Sequence, residues 1–168
     1  MREYPFDPND KATLDRLRRM PVFDAMEPDL LPALLKLARL RRYDAGEVII
    51  AEGDTDQLVY FLIFGRCSVN VDGMDLSAIT RAGDVFGEMG MVDQKPRSAT
   101  ITAEKQTLCL VLDGAFLDHL GGVDKVAAQA LFYRIFSEIL AGRIRAANAR
   151  VLTLENQLEK LSVQSPTF

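Results

Sequence analysis

The middle of the chain alternates short apolar or β-branched runs with glycine-bearing turns, and this alternation constrains the fold more than any other feature. Several short strands at regular spacing, joined by turns, favour a closed or rolled antiparallel structure. One turn, Asp72-Gly73, is a strong hairpin signal. The runs predicted as strands cover residues 47–51, 58–64, 67–71, 76–81, 98–103 and 107–112.

Two helical patterns precede this region. Asp10 is predicted to cap a first helix that ends before Pro21, and Pro28 is predicted to begin a second helix. We therefore expect a helical N-terminal segment over residues 1–42. Three arginines are expected to close the second helix, where cations suit the macrodipole, or alternatively to form a docking patch: Arg39, Arg41 and Arg42.

The chain returns to a helical pattern over residues 114–163, and a polar tail follows over residues 164–168. Gly121-Gly122 divides a short helix from a long one, which runs from Asp124 to about Leu161. At ~1.5 Å per residue the long helix would extend roughly 55–60 Å, so its second half must project or pair. The predicted fold class is α+β, a jelly-roll-like antiparallel β-roll of about eight strands over residues 43–113, with N-terminal helices and a long C-terminal helix.

The long helix carries a heptad repeat that is clearest from Leu140 onward. A parallel two-stranded coiled coil favours β-branched residues at a and leucine at d, so we expect a homodimer through residues 140–161. The alternative is a single helix folded back on its own domain. The a positions are Ile144, Val151 and Leu158, and the d positions are Leu140, Ala147, Leu154 and Leu161.

Composition excludes several classes of function. The 168 residues hold 20 Lys+Arg against 24 Asp+Glu, so the net charge of −4 disfavours direct nucleic-acid binding. The single histidine, His119, cannot build a multi-histidine metal site, and we expect no metal, no catalytic residues and no enzymatic activity.

Cys67 and Cys109 lack any CxxC spacing and are expected to be buried, inert thiols. No signal peptide and no apolar run of the ~18 residues that a membrane helix needs can be found. A cytoplasmic protein without a membrane partner is therefore predicted.

The most informative stretch runs from Phe86 to Thr100. A strand is predicted to end at Gly87 and a short helix to begin at Glu88, where backbone N–H groups can hold an anion. Arg97 re-enters at the head of the next strand, and its planar guanidinium can bind a phosphate through two hydrogen bonds. Glu88 would accept from neutral hydroxyls such as those of a sugar. The alternative is that Glu88 and Arg97 merely pair with each other.

This pattern resembles the cyclic nucleotide-binding domain family, of the type found in catabolite activator protein and the regulatory subunits of protein kinase A. The resemblance covers roughly residues 21–151. Its most specific motif is the phosphate-binding cassette, Phe-Gly-Glu followed by Pro-Arg-Ser-Ala-Thr. The preceding landmarks are residues 45–49, Glu52-Gly53-Asp54, residues 60–65 and Ala82-Gly83-Asp84.

The resemblance implies a role for each residue of the cassette. Arg97 would bind the cyclic phosphate and Glu88 the ribose 2′-hydroxyl. Gly90 departs from the alanine of many relatives, which would loosen the short helix by up to about 1 kcal/mol. The other implied nucleotide contacts are Phe86, Gly87 and Met89 before the loop, Ser98 and Ala99 beside the arginine, and Arg143 and Asn148 on the long helix for the base.

The implied function is a stand-alone, non-catalytic sensor of a cyclic nucleotide, with cyclic AMP favoured as the family's commoner bacterial ligand. It would need no cofactor and would signal to a separate, unidentified effector protein through movement of the C-terminal helix. The alternatives are a coiled-coil adaptor with a non-functional pocket, a cyclic GMP sensor, and a fragment of a transcription regulator.

Overall fold

The computed structural model describes residues 1–7, 10–20, 23, 31, 35–36, 38–114 and 122–163. The chain divides into two compact units, Met1–Leu131 and Phe132–Phe168. The predicted helix beginning at Pro28 falls mainly outside the described residues, although Leu31, Leu35 and Lys36 are helical. The short helix predicted before Gly121-Gly122 lies almost entirely outside them, and so does the polar tail.

The N-terminal segment begins with a strand and then a short helix. Strand β1 covers Arg2–Pro5 and helix α1 covers Lys11–Arg18. Asp10 caps α1 as predicted, because its Oδ1 accepts from the backbone N–H of Thr13 at 3.1 Å. Strand β1 was not predicted, since Arg2, Glu3, Tyr4 and Pro5 show no apolar alternation.

Two antiparallel sheets form the β-roll, which confirms the predicted fold class. One sheet has the order β1-β2-β9-β4-β7 and the other β3-β8-β5-β6. Their strands are β2 Arg39–Tyr43, β3 Val48–Ile50, β4 Leu58–Phe64, β5 Cys67–Val71, β6 Met74–Ile79, β7 Val85–Phe86, β8 Thr100–Ala103 and β9 Thr107–Asp113.

The hydrophobic core lies between the two sheets, and both contribute side chains to it. Cys67 of β5 and Cys109 of β9 are buried free thiols in this core, as predicted. Burial raises the pKa of Cys67 to about 11 and that of Cys109 well above the usual range. Both thiols are therefore protonated and unreactive at neutral pH.

The prediction that Arg39, Arg41 and Arg42 close a helix is wrong, because all three lie in strand β2. This strand pairs with β1 on one side and β9 on the other. Arginine forms helices readily, so local preference favours a helix here; the backbone hydrogen bonds offered by β9 override that preference.

The predicted hairpin between β5 and β6 is present. Asp72 and Gly73 have φ values of 49° and 80°, the positive values that a tight two-residue hairpin turn requires at both positions. Helix α2 covers Glu88–Asp93, and helix α3 covers Gly122–Val163, close to the predicted limits of the long helix.

Candidate functional site

The cassette begins where β7 leaves the five-stranded sheet. Phe86 is buried and its ring stacks on Tyr60 of β4, with centroids 5.1 Å apart and planes 4° from parallel. Gly87 follows with φ of 80° and precedes helix α2, whose C-cap residue is Gln94. The strand, glycine and short helix therefore follow in the predicted order.

Gly87 is needed for its small size as well as its backbone conformation. A Cβ at this position would lie 2.7 Å from the Leu58 carbonyl oxygen and 2.9 Å from Nη1 of Arg97. Gly90 lies against the same guanidinium, with a Cβ position 3.2 Å from Nη1. The two glycines thus leave the space that the Arg97 side chain occupies.

Arg97 is almost completely buried, with 5% of the residue exposed. Its Nη1 donates to the Gly87 carbonyl at 2.6 Å, and its Nη2 donates to the Leu58 carbonyl at 2.6 Å. Among the described residues, its Nε has no hydrogen-bond partner. A buried donor without an acceptor is costly, so this Nε is the atom of the site best prepared to receive an anion.

The carboxylate that pairs with Arg97 belongs to Asp56, whose Oδ1 accepts from Nη2 at 2.5 Å. Burial raises the pKa of Asp56, but hydrogen bonds from Arg97 and from the backbone N–H of Leu58 outweigh it and hold the pKa below its ordinary value. Sequence reasoning missed this residue. A buried guanidinium demands an anion, but Glu52, Asp54 and Asp56 share one loop and the sequence does not distinguish them.

Glu88 is fully buried at the first position of α2. Glu88 and Arg97 are both buried residues of the cassette. The carboxylate that bonds the guanidinium at close range, however, is that of Asp56.

The remaining cassette residues line the more accessible side of the site. Met89 and Ser98 are exposed and adjacent, since the Ser98 hydroxyl lies 3.8 Å from the Met89 sulfur. Ala99 is half-buried beside Ser98. The structure thus brings Phe86, Gly87, Glu88, Met89, Arg97, Ser98 and Ala99 into one region of the first compact unit.

Arg143 and Asn148 are both exposed residues of α3 and belong to the second compact unit. Their predicted contacts with the base stay predictions.

Across the described part of the chain, no group of three or more His, Cys, Asp or Glu side chains is arranged to hold a metal ion. None of the helices described is long and apolar enough to span a bilayer. The site itself combines a buried cation, a buried carboxylate and a glycine-bearing turn. That combination suits a ligand that presents an anion beside a hydroxyl group.

Comparison with known proteins finds a family match over the region that contains the cassette. Residues 40–121 match the family model described as the cyclic nucleotide-binding domain. A cGMP-dependent protein kinase of Toxoplasma gondii is 32% identical over 123 residues, which cover 73% of this chain and 12% of the kinase. The chain thus spans far less than two thirds of that relative.

Two solved structures share the fold. One, described as a cyclic AMP analogue (Sp-2Cl-cAMPS) bound to PKAR CBD2, has a TM-score of 0.61 at 25% identity and covers 84% of this chain and 88% of that one. The catabolite activator protein of Thermus thermophilus has a TM-score of 0.64 at 25% identity, with 80% of this chain and 63% of that one covered.

Proposed function

We propose that this chain, as a member of the cyclic nucleotide-binding domain family, binds a cyclic nucleotide monophosphate at the cassette and acts as a non-catalytic sensor. The observation that carries this proposal is the buried Arg97 guanidinium, whose Nε lacks an acceptor among the described residues while its other nitrogens are held in place.

Arg97 would bind the cyclic phosphate through Nε and the neighbouring edge of the guanidinium. Nη1 and Nη2 are already fixed by the Gly87 and Leu58 carbonyls, so little side-chain freedom is lost on binding. The Asp56 carboxylate would then share Arg97 with the phosphate, and a change in that pairing would report occupancy to β4.

Glu88 would accept a hydrogen bond from the ribose 2′-hydroxyl, a role that suits a carboxylate held without exposure to water. Gly87 and Met89 would provide backbone contacts on one side of the ligand. Ser98 and Ala99 would provide hydroxyl and backbone contacts on the other.

We propose cyclic AMP as the ligand, with Arg143 and Asn148 of α3 contacting its base. Support comes from the likeness to a domain solved with a cyclic AMP analogue, whereas the relative in Toxoplasma gondii is a cGMP-dependent kinase. Cyclic GMP is therefore the alternative that the experiment must separate.

Signalling is proposed to run through a homodimer formed by α3 and from there to a separate effector protein. The predicted a positions Ile144, Val151 and Leu158 are 60%, 52% and 66% exposed, which leaves an apolar stripe for a second copy to cover. The buried free thiols Cys67 and Cys109 are consistent with a reducing location, and we propose the cytoplasm.

Isothermal titration of the wild-type protein with cyclic AMP and with cyclic GMP tests the proposal. We expect Arg97→Ala to lose roughly 2–5 kcal/mol of affinity for the favoured nucleotide, the cost expected when a buried charge pair is truncated. The matched control is Arg66→Ala, which removes a half-exposed arginine paired with Glu104 and should leave affinity unchanged.

The alternative function, an adaptor whose pocket no longer binds nucleotide, predicts a different result for the wild-type protein. A binder at 100-fold excess of ligand over Kd gains about 2.7 kcal/mol of stability, so its thermal unfolding midpoint must rise. An unchanged midpoint with millimolar concentrations of either nucleotide would favour the adaptor.

A further inference from the structure

A charged cluster joins the N-terminal strand to the sheet that carries the cassette. Glu3 of β1 stands directly opposite Arg41 of β2. The Glu3 carboxylate accepts from Nε of Arg41 at 2.6 Å and from Nη1 of Arg39 at 3.1 Å. The Arg41 side chain is only 20% exposed, whereas that of Arg39 is 63% exposed. Arg41 is therefore the more buried arginine of the pair.

The other end of the Arg41 guanidinium reaches the strand beside the cassette. Its Nη1 donates to the Tyr60 hydroxyl at 3.2 Å. Tyr60 in turn stacks on Phe86, the residue before Gly87, whose carbonyl holds Arg97. Contacts therefore run from Glu3 through Arg41 and Tyr60 to the phosphate-binding turn.

The charge of Arg41 also reaches Asp56, the carboxylate bonded to Arg97. Burial raises the pKa of Asp56, and besides the hydrogen bonds from Arg97 and Leu58, the positive charges of Arg97 and Arg41 lower it. Asp56 thus lies in the electrostatic field of both guanidinium groups.

We propose that Arg41 is a positioning residue whose positive charge stabilises the anions at the nucleotide site. The negative charge of Glu3, on the N-terminal strand, partly offsets this effect. This inference rests on the proposed function. When a phosphate shares Arg97 with Asp56, two anions face one guanidinium. Arg41 supplies a second positive charge for these anions, and the negative charge of Glu3 partly cancels its effect.

The test is a set of charge-removing variants titrated with cyclic AMP and cyclic GMP at low and at high salt. Glu3→Gln should tighten binding roughly two- to fivefold and Arg41→Gln should weaken it by a similar factor, with both effects smaller at high salt. Glu3→Gln should tighten binding less when Arg41 is already glutamine, because the Glu3–Arg41 ion pair is then absent and only the direct effect of the Glu3 charge remains. Arg41→Lys, which keeps the charge, should restore most of the affinity.

Arg39→Gln is the matched control, because it removes the other partner of Glu3 from an exposed position and should change affinity less than twofold. A second readout needs no nucleotide: NMR titration of the Asp56 carboxyl should show its pKa rising in Arg41→Gln and falling in Glu3→Gln. A purely structural ion pair predicts the opposite sign for Glu3→Gln, since loosening β1 would weaken binding.

The outcomes separate the two proposals. A wild-type protein that binds neither nucleotide overturns the proposed function and this role together. A wild-type protein that binds, with Glu3→Gln unchanged or weaker and the Asp56 pKa unmoved, overturns the role of Arg41 alone.

Discussion

Single residues at the cassette are constrained by space as much as by charge. Gly87 combines a positive φ with close approach to the Leu58 carbonyl and the Arg97 guanidinium. The Arg97 side chain is only 3% exposed, so its buried guanidinium needs a counter-charge, which Asp56 provides. The position of the Arg97 guanidinium therefore depends on both Gly87 and Asp56.

Gly87→Ala should both destabilise the protein and reduce nucleotide affinity, because the methyl group would displace Arg97 or the Leu58 carbonyl. Gly73→Ala is the matched control: its φ is also 80°, but no atom lies within 4 Å of the added Cβ. Both variants should lose stability, by about 1 kcal/mol for the backbone conformation alone, as measured by urea unfolding. Only Gly87→Ala should lose affinity in calorimetry; equal affinity in both variants would show that the close approach is unimportant.

At the level of elements, the Asp56–Arg97 pair connects the two sheets. Asp56 lies just before β4 of the five-stranded sheet, and Arg97 just before β8 of the four-stranded sheet. Backbone bonds reinforce this junction, since the Arg97 N–H donates to the Asp54 carbonyl at 2.7 Å and the Gly53 N–H donates to the Arg97 carbonyl at 2.8 Å. The cassette thus lies at a junction between sheets.

This junction should weaken in acid. Because the pKa of Asp56 is depressed below its ordinary value of 3.8 in the folded protein, its stabilising effect is complete above that value and is lost as the pH falls through the folded pKa. Asp56→Asn should therefore be less stable than wild type at pH 7 and pH 5, and the difference should shrink between pH 4 and pH 3. Urea unfolding at these pH values measures it.

Asp54→Asn is the control for this prediction, because Asp54 bonds Arg97 through its backbone carbonyl rather than its side chain. It should unfold like wild type at every pH. If the difference in unfolding free energy between wild type and Asp56→Asn stayed constant down to pH 3, the ion pair would not contribute through its charge.

For the whole molecule, the central question is what covers α3. Along the described part of its second half, the a positions Ile144, Val151 and Leu158 and the d position Leu154 are exposed, Leu154 at 49% and Leu158 at 66%. Leu152 is 60% exposed but follows an a position and so falls at b, on the flank of the proposed seam. The two leucines thus differ in heptad position but little in exposure.

Leu158→Lys should shift the protein from dimer to monomer in analytical ultracentrifugation, raising the dimer dissociation constant at least about tenfold, because both copies lose a buried leucine. Leu152→Lys should leave the dimer intact. A wild-type monomer, or equal disruption by both substitutions, would contradict the proposed coiled coil.

The sequence alone determined the roll, the hairpin at Asp72-Gly73, the long helix and the cassette, because each depends on local patterns: alternating strands, positive-φ turn residues, helical periodicity and a contiguous motif. Only the tertiary structure decided that Arg39–Tyr43 is a strand, that Glu3 lies beside Arg41 and that Asp56 is the partner of Arg97. These three features depend on residues far apart in the sequence: Arg39 pairs with Val111 of β9, Glu3 and Arg41 are 38 positions apart, and Asp56 and Arg97 are 41 positions apart. The partner of a strand or of a buried charge cannot be identified from the residues next to it in the sequence.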